Sequence, residues 1–539
     1  LNNNLLLFKS HSQKFQVEFP DYHISSNFKN GGQKIIQGYR DGAYYFLIET
    51  PAHDFQYIES DAFEAKYLHK AFYDNFKLKE ASGAFKTFNY TTYESQAIVD
   101  SATNKKIHIK SVIKDGSYYL LGYISKHERG LRKFFSSFKF NNPVQDRFKT
   151  LKDTSLHFSV NTNIKMPSAN VSYAYKNRKY KDYESQTKST TYSSRSNDVI
   201  DVIRYKFHDL KMYEHIDSLW NEKEKISKQT NLYDNRLEKI FEITNQTKTN
   251  DSDEYTYQFM VKNPESSKAI FKKYILKKGV LFELKTLVDT VLPPSRFVKE
   301  FFNSFKIKDT LLGKPVLTDK TNLFFEALKN NDSIIYNDFS LVKFSAKHSE
   351  KIKNTLAKFN FPEERNDIKS FLTYFLVKND FVKHQKFIKK FYRANYSDPN
   401  TQSSILSALL NLETNKAYQF YLELLEIDLP LDYGGLGNFY NFNNKKSLKK
   451  RVKLFPELLK YSTIQEYKQP IYDLLAQLKD SSLVTPGIYK TYKDQIITDG
   501  KIEIKRSLSN EIEYGYETDL NSFLKLIYPY KKEKNVKSF

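Results

Sequence analysis

The chain has 539 residues, of which 40% are hydrophobic and 16% aromatic, enough apolar material for about three domains with well-formed cores. It contains no Cys, which excludes disulfides, thiolate metal sites and cysteine nucleophiles together. The 85 Lys and Arg outnumber the 63 Asp and Glu, giving a net charge of +22. That excess is mostly Lys and comes with abundant Asn, Ile, Tyr and Phe, the signature of AT-rich coding rather than of a nucleic-acid footprint.

The first unit begins with a strand-like run, Phe15 to Pro20, followed by a hairpin around Arg40-Asp41-Gly42 whose second arm is Ala43 to Thr50. A helix is predicted from Asp54 to Phe72, then strands near Ala84 to Tyr93, Lys106 to Ile113 and Ser117 to Ile124, the last two turning at Asp115-Gly116. Leu131, Phe134, Phe135 and Phe138 recur at helical spacing and predict a closing helix with its aromatics on one face. The second unit follows the same order. It has an opening strand at Ser155 to Val160, a long strand at Val199 to Phe207, and a helix striped by Leu210, Tyr213, Ile216 and Trp220. Then come Tyr255 to Val261 and a hairpin of Ala269 to Leu276 with Val280 to Val288. Its closing helix follows Ser295, a natural N-cap. Both closing helices end in Phe-Phe-x-Ser-Phe-Lys, at 134–139 and 301–306, so the front half reads as a repeated domain. Tyr173 to Asn197, rich in Ser, Thr, Lys and Tyr, reads as an insertion or an exposed edge strand.

After about Gly313 the period becomes helical. Asp398-Pro399 and Thr414 are helix starts, and Thr463 with Glu466 fits a capping box. Helix pairs are predicted at Asp367 to Leu376 with Phe381 to Tyr392, Thr401 to Leu410 with Lys416 to Leu425, and Leu448 to Tyr461 with Ile464 to Leu478. That spacing is typical of an irregular HEAT-like solenoid. The expected fold class is therefore α+β: two tandem α-β sandwich domains with antiparallel sheets, at 10–142 and 153–310, then an all-α solenoid at 316–530 and a basic tail at 531–539.

No phosphate-binding loop, dinucleotide fingerprint, zinc-protease helix or nucleophile elbow occurs in the chain. The densest His and acid group is His208-Asp209 with Glu214, His215 and Asp217, whose spacing fits surface histidines better than a metal site. No catalytic, cofactor or metal residues are assigned. Two basic clusters are candidate partner-binding residues: Lys383, Lys386, Lys390 and Arg393, and Lys445, Lys446, Lys449, Lys450, Arg451 and Lys453. Asp-Ser/Thr-apolar triplets at Asp100, Asp217, Asp289, Asp309 and Asp332 match the O-glycosylation acceptor pattern of Bacteroidota envelope proteins.

The Phe19-Pro20 entry strand, the long hairpins and the helix ends Phe138-Lys139 and Phe305-Lys306 resemble the α-β sandwich domains of the PsbP, Mog1 and DcrB-like superfamily. The resemblance implies an accessory or assembly role. With the absence of Cys and a start at Leu1, the expectation is an exported protein of the periplasm or outer-membrane surface. It would be a non-enzymatic scaffold or accessory subunit whose partners are other envelope proteins, an outer-membrane complex among them, with attachment through an N-terminal lipid and without nucleic acid or cofactor. The alternatives are a basic nucleic-acid-binding protein and, third, a hydrolase.

Overall fold

The structure is a computed structural model that describes residues 5–10, 14–27, 33–51, 58–87, 90–114, 117–141, 147–167, 180–194, 198–228, 241–335, 338–431, 445–508, 520–533 and 536. The Asp115-Gly116 turn lies outside them, as do 173–179 and 195–197. The chain forms two compact units, Leu1–Val342 and Lys343–Phe539. The first is built of tandem α-β sandwiches and the second of helices. No helix among the described residues is long and apolar enough to cross a membrane.

The first sandwich contains β1 (Leu6–Lys9), β2 (Phe15–Phe19), β3 (Tyr22–Asn27), β4 (Gln33–Arg40) and β5 (Ala43–Pro51), then α1 (Asp61–Asn75). It continues with β6 (Glu80–Thr87), β7 (Thr91–Asp100), β8 (Lys105–Lys114), β9 (Ser117–Ser125), α2 (Leu131–Ser137) and β10 (Lys139–Phe140). The single strand predicted across 84–93 is in fact divided between two paired strands, the end of β6 and the start of β7. A seven-stranded antiparallel sheet in the order β3-β4-β5-β9-β8-β7-β6 forms the middle layer. Asp41 and Gly42 both have positive φ, 49° and 76°, so the β4–β5 turn takes the left-handed form that matches strand twist. Strand alternation sorts apolar side chains to both faces. On one face Phe46, Ile107, Ile109 and Leu120 meet Tyr73 of α1. On the other, Tyr45, Leu47, Tyr119 and Leu121 meet Phe134 of α2 and the Phe15, Val17 and Phe19 stripe of a small β1-β2-β10 sheet.

The second sandwich runs through β11 (Lys149–Asp153), β12 (Phe158–Thr162), β13 (Gln186–Ser193), β14 (Val199–Lys206) and α3 (Ile216–Lys228). It ends with β15 (Glu242–Asp251), β16 (Glu254–Lys262), β17 (Lys268–Lys277), β18 (Val280–Asp289), α4 (Arg296–Ser304) and β19 (Lys306–Ile307). Its large sheet, β13-β14-β18-β17-β16-β15, has the strand order of the first with one edge strand fewer, and its small sheet is β11-β12-β19. The described part of the polar insertion, β13, is an edge strand. Helix α3 begins only at Ile216, so Leu210 and Tyr213 pack from the preceding loop instead of from a helical stripe.

The repeated Phe-Phe-x-Ser-Phe-Lys ending has one structural job in both copies. Ser137 Oγ accepts from the Glu18 amide at 3.0 Å, and Ser304 Oγ accepts from the Asn161 amide at 2.7 Å, tying the helix end to the central strand of the small sheet. The residues that follow add the third strand in the same register, Lys139 opposite Gln16 and Lys306 opposite Ser159. Ser295 caps α4 through the Val298 amide.

The first unit closes with α5 (Thr321–Lys329). The second unit stacks α6 (Ser349–Lys358), α7 (Asn366–Ala394), α8 (Pro399–Leu412) and α9 (Asn415–Leu425), then helices at Lys445–Arg451, Gln465–Asp480, Lys493–Leu508 and Leu520–Ile527. The predicted pair at 367–376 and 381–392 is two helical segments of α7 that meet at Asp380, whose backbone is non-helical (φ −159°, ψ 44°). Asp398 and Thr414 cap their helices as expected, but Thr463 ends a 3-10 stretch and the next helix starts after Ile464 without a side-chain cap. Buried tyrosines lock the stack through backbone carbonyls: Tyr392 to Asp428 at 2.9 Å, Tyr467 to Pro430 at 3.0 Å and Tyr489 to Leu526 at 3.0 Å. Each supplies a large apolar body with a polar tip that is satisfied where helices end.

Candidate interaction site

Lys383, Lys386, Lys390 and Arg393 are all exposed along α7, while Phe381 and Ile388 face inward. Lys383 is 3.1 Å from Glu350, whose carboxyl is pulled below its ordinary range by hydrogen bonds from Lys353 and Lys383. That end of the stripe is therefore partly neutralised. In the second cluster the side chains of Lys445 and Lys446 lie outside the described residues, and Lys449, Lys450 and Lys453 are exposed. Arg451 corrects the sequence reading. It is only 4% exposed, burial lowers its guanidinium, and Tyr418 and Glu413 are the groups that favour its charge. The period of the short helix turns every third or fourth residue inward, so a run of basic residues cannot all face solvent.

Lys450 pairs with Glu413 at 3.0 Å with 55% of its side chain exposed, a geometry worth at most about 1 kcal/mol. Lys449→Glu with Lys450→Glu is thus expected to leave thermal stability nearly unchanged. Arg451→Glu, which buries a carboxylate, is expected to cost about 3 kcal/mol or more, read by denaturant unfolding of the two proteins side by side.

The histidine and acid group does not converge on a metal. His208 is buried, its Nδ1 accepts from the Leu210 amide at 3.1 Å, and its Nε2 faces Asp338 at 3.6 Å. No group of three His or acid side chains able to hold a metal occurs among the described residues. In three of the five Asp-Ser/Thr-apolar triplets the Asp accepts from the backbone amide two residues on: Asp100 from Ala102, Asp289 from Val291 and Asp332 from Ile334. These are Asx turns, a local reason for the pattern. Asp217 and Asp309 pair with Lys248 and Lys277.

Two features escaped the sequence because they depend on which strands become neighbours. One is the joint between the sandwiches. Lys268 at the start of β17 reaches Glu64 of α1 at 2.6 Å, and its ammonium is 2.9 Å from the Tyr118 hydroxyl. The Lys268 side chain is 4% and the Glu64 side chain 12% exposed. Burial pushes the Glu64 carboxyl up against the pull of Lys268, as expected where desolvation competes with pairing. Around this pair the N-terminus of α1 docks on the β16–β17 turn. The Asp61 amide donates to the Glu265 carbonyl at 3.1 Å, the Ser267 amide donates to the Asp61 carboxylate at 3.0 Å, and Asn263 donates to the Ile58 carbonyl at 3.2 Å. Tyr90 donates to Asp289 at 2.8 Å, and Lys14 faces Asp198 at 3.7 Å.

The other is a groove of about 650 Å³ in the first sandwich, between β6–β7–β8 and α2. Gln96, His108, Lys86, Lys110, Arg132 and Phe135 line it. Glu94 at its floor holds Lys86 at 2.6 Å and Lys110 at 3.6 Å, and Glu128 meets His108 from the rim at 3.6 Å. Arg132 forms no ion pair among the described residues.

No family model matches the chain, and no curated protein matches it. Among solved structures the chain is similar to a cyanobacterial PsbP from Synechocystis, with 9% identity and a TM-score of 0.22 over 26% of this chain and 93% of that one. It is also similar to lipovitellin, in a structure described by its lipid–protein interactions, with 11% identity and a TM-score of 0.16 over 83% of this chain and 51% of that one. The chain thus spans about half the length of the lipovitellin structure, and neither TM-score reaches the level of a shared fold.

Proposed function

We propose that this protein is a non-enzymatic scaffold or accessory subunit that holds partner proteins in a cell-envelope assembly. The observation that carries this reading is the joint: a desolvated ion pair, Lys268 with Glu64, surrounded by backbone hydrogen bonds, fixes the two sandwiches as one unit. Two sheets held in fixed relation offer edges and faces to several partners, and binding of that kind needs no reactive side chain. The exposed lysines of α7 and of the helix at Lys445–Arg451 add charge that steers association. The envelope setting is supported by sequence: the absence of Cys and the Asp-Ser/Thr triplets of Bacteroidota type, with an N-terminal lipid or an outer-membrane partner as the means of attachment.

Fractionation of native cells followed by pull-down and mass spectrometry tests this. The expected result is recovery with the envelope and co-purification of membrane proteins in fixed ratio. Native protein found free in the cytosol overturns it, and tight, steeply salt-dependent binding of nucleic acid transfers the case to the alternative reading.

A further inference from the structure

The two sandwiches serve as internal controls for each other, and they differ at one place. The β8–β9 hairpin closes at the Lys114 and Ser117 pair and the β17–β18 hairpin at the Lys277 and Val280 pair, so His108 stands where Phe271 does and Lys110 where Lys273 does. Across the next ladder Gln96 faces His108, and Met260 faces Phe271, which matches Gln96 with Met260. The shared helix ending matches Phe135 with Phe302.

In the second copy this face is closed. Phe271 stacks on Phe302 with centroids 4.7 Å apart and planes 18° apart, Phe302 is 2% exposed, and Met260 packs on the same core. Lys273 is folded in to donate to the Phe302 carbonyl at 2.7 Å. In the first copy the same positions are polar and the face is open. Lys110 lies over Phe135 at 6.0 Å from the ring, and the groove takes the place of the aromatic stack. A sandwich that can seal this face with two apolar residues instead carries His108 and Gln96 there.

The groove is bordered by β6, which ends the sheet order and so presents an unpaired backbone edge among the described residues. Residues 81–86 of that strand are exposed. Its lining carries Lys86, Lys110 and Arg132 against Glu94 alone. An extended chain laid along β6 would gain main-chain hydrogen bonds from the edge while alternate side chains turn toward those cations. We propose that this groove binds an extended acidic peptide segment of a partner protein, added to the β6 edge with its carboxylates over Lys86, Lys110 and Arg132. The proposal deepens the scaffold reading by naming the site and the chemistry of what it holds.

The test is a fluorescence-anisotropy titration of the full chain with a labelled peptide of alternating Glu and Thr, at low and raised salt. The peptide is expected to bind and to weaken as salt rises. Lys86→Glu with Arg132→Glu, both at exposed positions, is expected to weaken it roughly tenfold or more. Gln96→Met with His108→Phe, which copies the closed face of the second sandwich, is expected to abolish binding while unfolding stays cooperative and the melting temperature does not fall. Absence of binding by the wild type overturns the proposal, as does equal binding by the closed-face variant. Displacement of the peptide by free glutamate or inorganic phosphate at equal concentration reassigns the groove to small anions, and preference for a single-stranded oligonucleotide reassigns it to nucleic acid. Either result also overturns the proposal. Failure of the envelope pull-down with success of this titration removes the cellular setting and leaves the groove, whereas the reverse leaves the scaffold without this docking mode.

Discussion

Phe305→Ala is expected to lower the stability of the second sandwich by about 3 to 5 kcal/mol, the range for truncating a fully packed Phe. The ring is 5% exposed, stacks on Phe158 with centroids 4.5 Å apart, and meets Phe282 edge-on at 5.2 Å. It therefore joins the small sheet, the large sheet and the end of α4, and no single element can relax into the cavity. Trp220 is the chain's one Trp and is buried in the same sandwich, so its fluorescence reports the transition under denaturant. Phe138 is the matching residue of the first sandwich and is only partly buried, packed beside Phe15, Tyr119 and Phe140. Its truncation is expected to cost less. A loss below about 1 kcal/mol at Phe305 would mean that the repeated ending is not a packing device.

The α+β class was legible because the strands and helices that carry it have strong local signals. The Asp41-Gly42 turn, the Ser295 and Asp398 caps and the alternation of Phe15, Val17 and Phe19 each act within a few residues. Where the signal was local but its neighbours decided the outcome, the reading slipped. Thr463 and Glu466 match a capping box in sequence, yet Thr463 ends a 3-10 stretch and the next helix starts after Ile464 without a side-chain cap. Strand β15, with its Asn, Gln, Thr and Lys, has no apolar alternation and is a strand because β16 supplies its hydrogen bonds. The candidate site was legible least of all. Charge runs drew attention to the helical unit, yet Arg451 in the middle of one run is buried, while Lys86, Lys110 and Arg132 are scattered in sequence and meet only because β6, β7 and β8 are neighbours beside α2. The signal that existed was the internal repeat: aligning His108 with Phe271 and Gln96 with Met260 marks two polar-for-apolar exchanges on a core face.

The joint between the sandwiches makes the sharpest energetic prediction. Lys268→Met leaves the Glu64 carboxylate desolvated without its cation, and removal of one member of such a pair is expected to cost about 3 to 5 kcal/mol. Replacing both, Glu64→Leu with Lys268→Met, removes the two desolvation penalties together and is expected to recover most of that loss. The coupling between the two positions should therefore be large and opposite in sign to the single losses, which a double-mutant cycle in denaturant measures. Because both side chains are shielded from solvent, raised salt should change the cycle little, unlike the exposed Lys450 and Glu413 pair. The double variant keeps the Asp61, Ser267 and Asn263 hydrogen bonds, so limited proteolysis should show the sandwiches still joined. Single losses below about 1 kcal/mol, or a double variant as unstable as the sum of the singles, would mean that the pair is hydrated in solution and not desolvated at the joint.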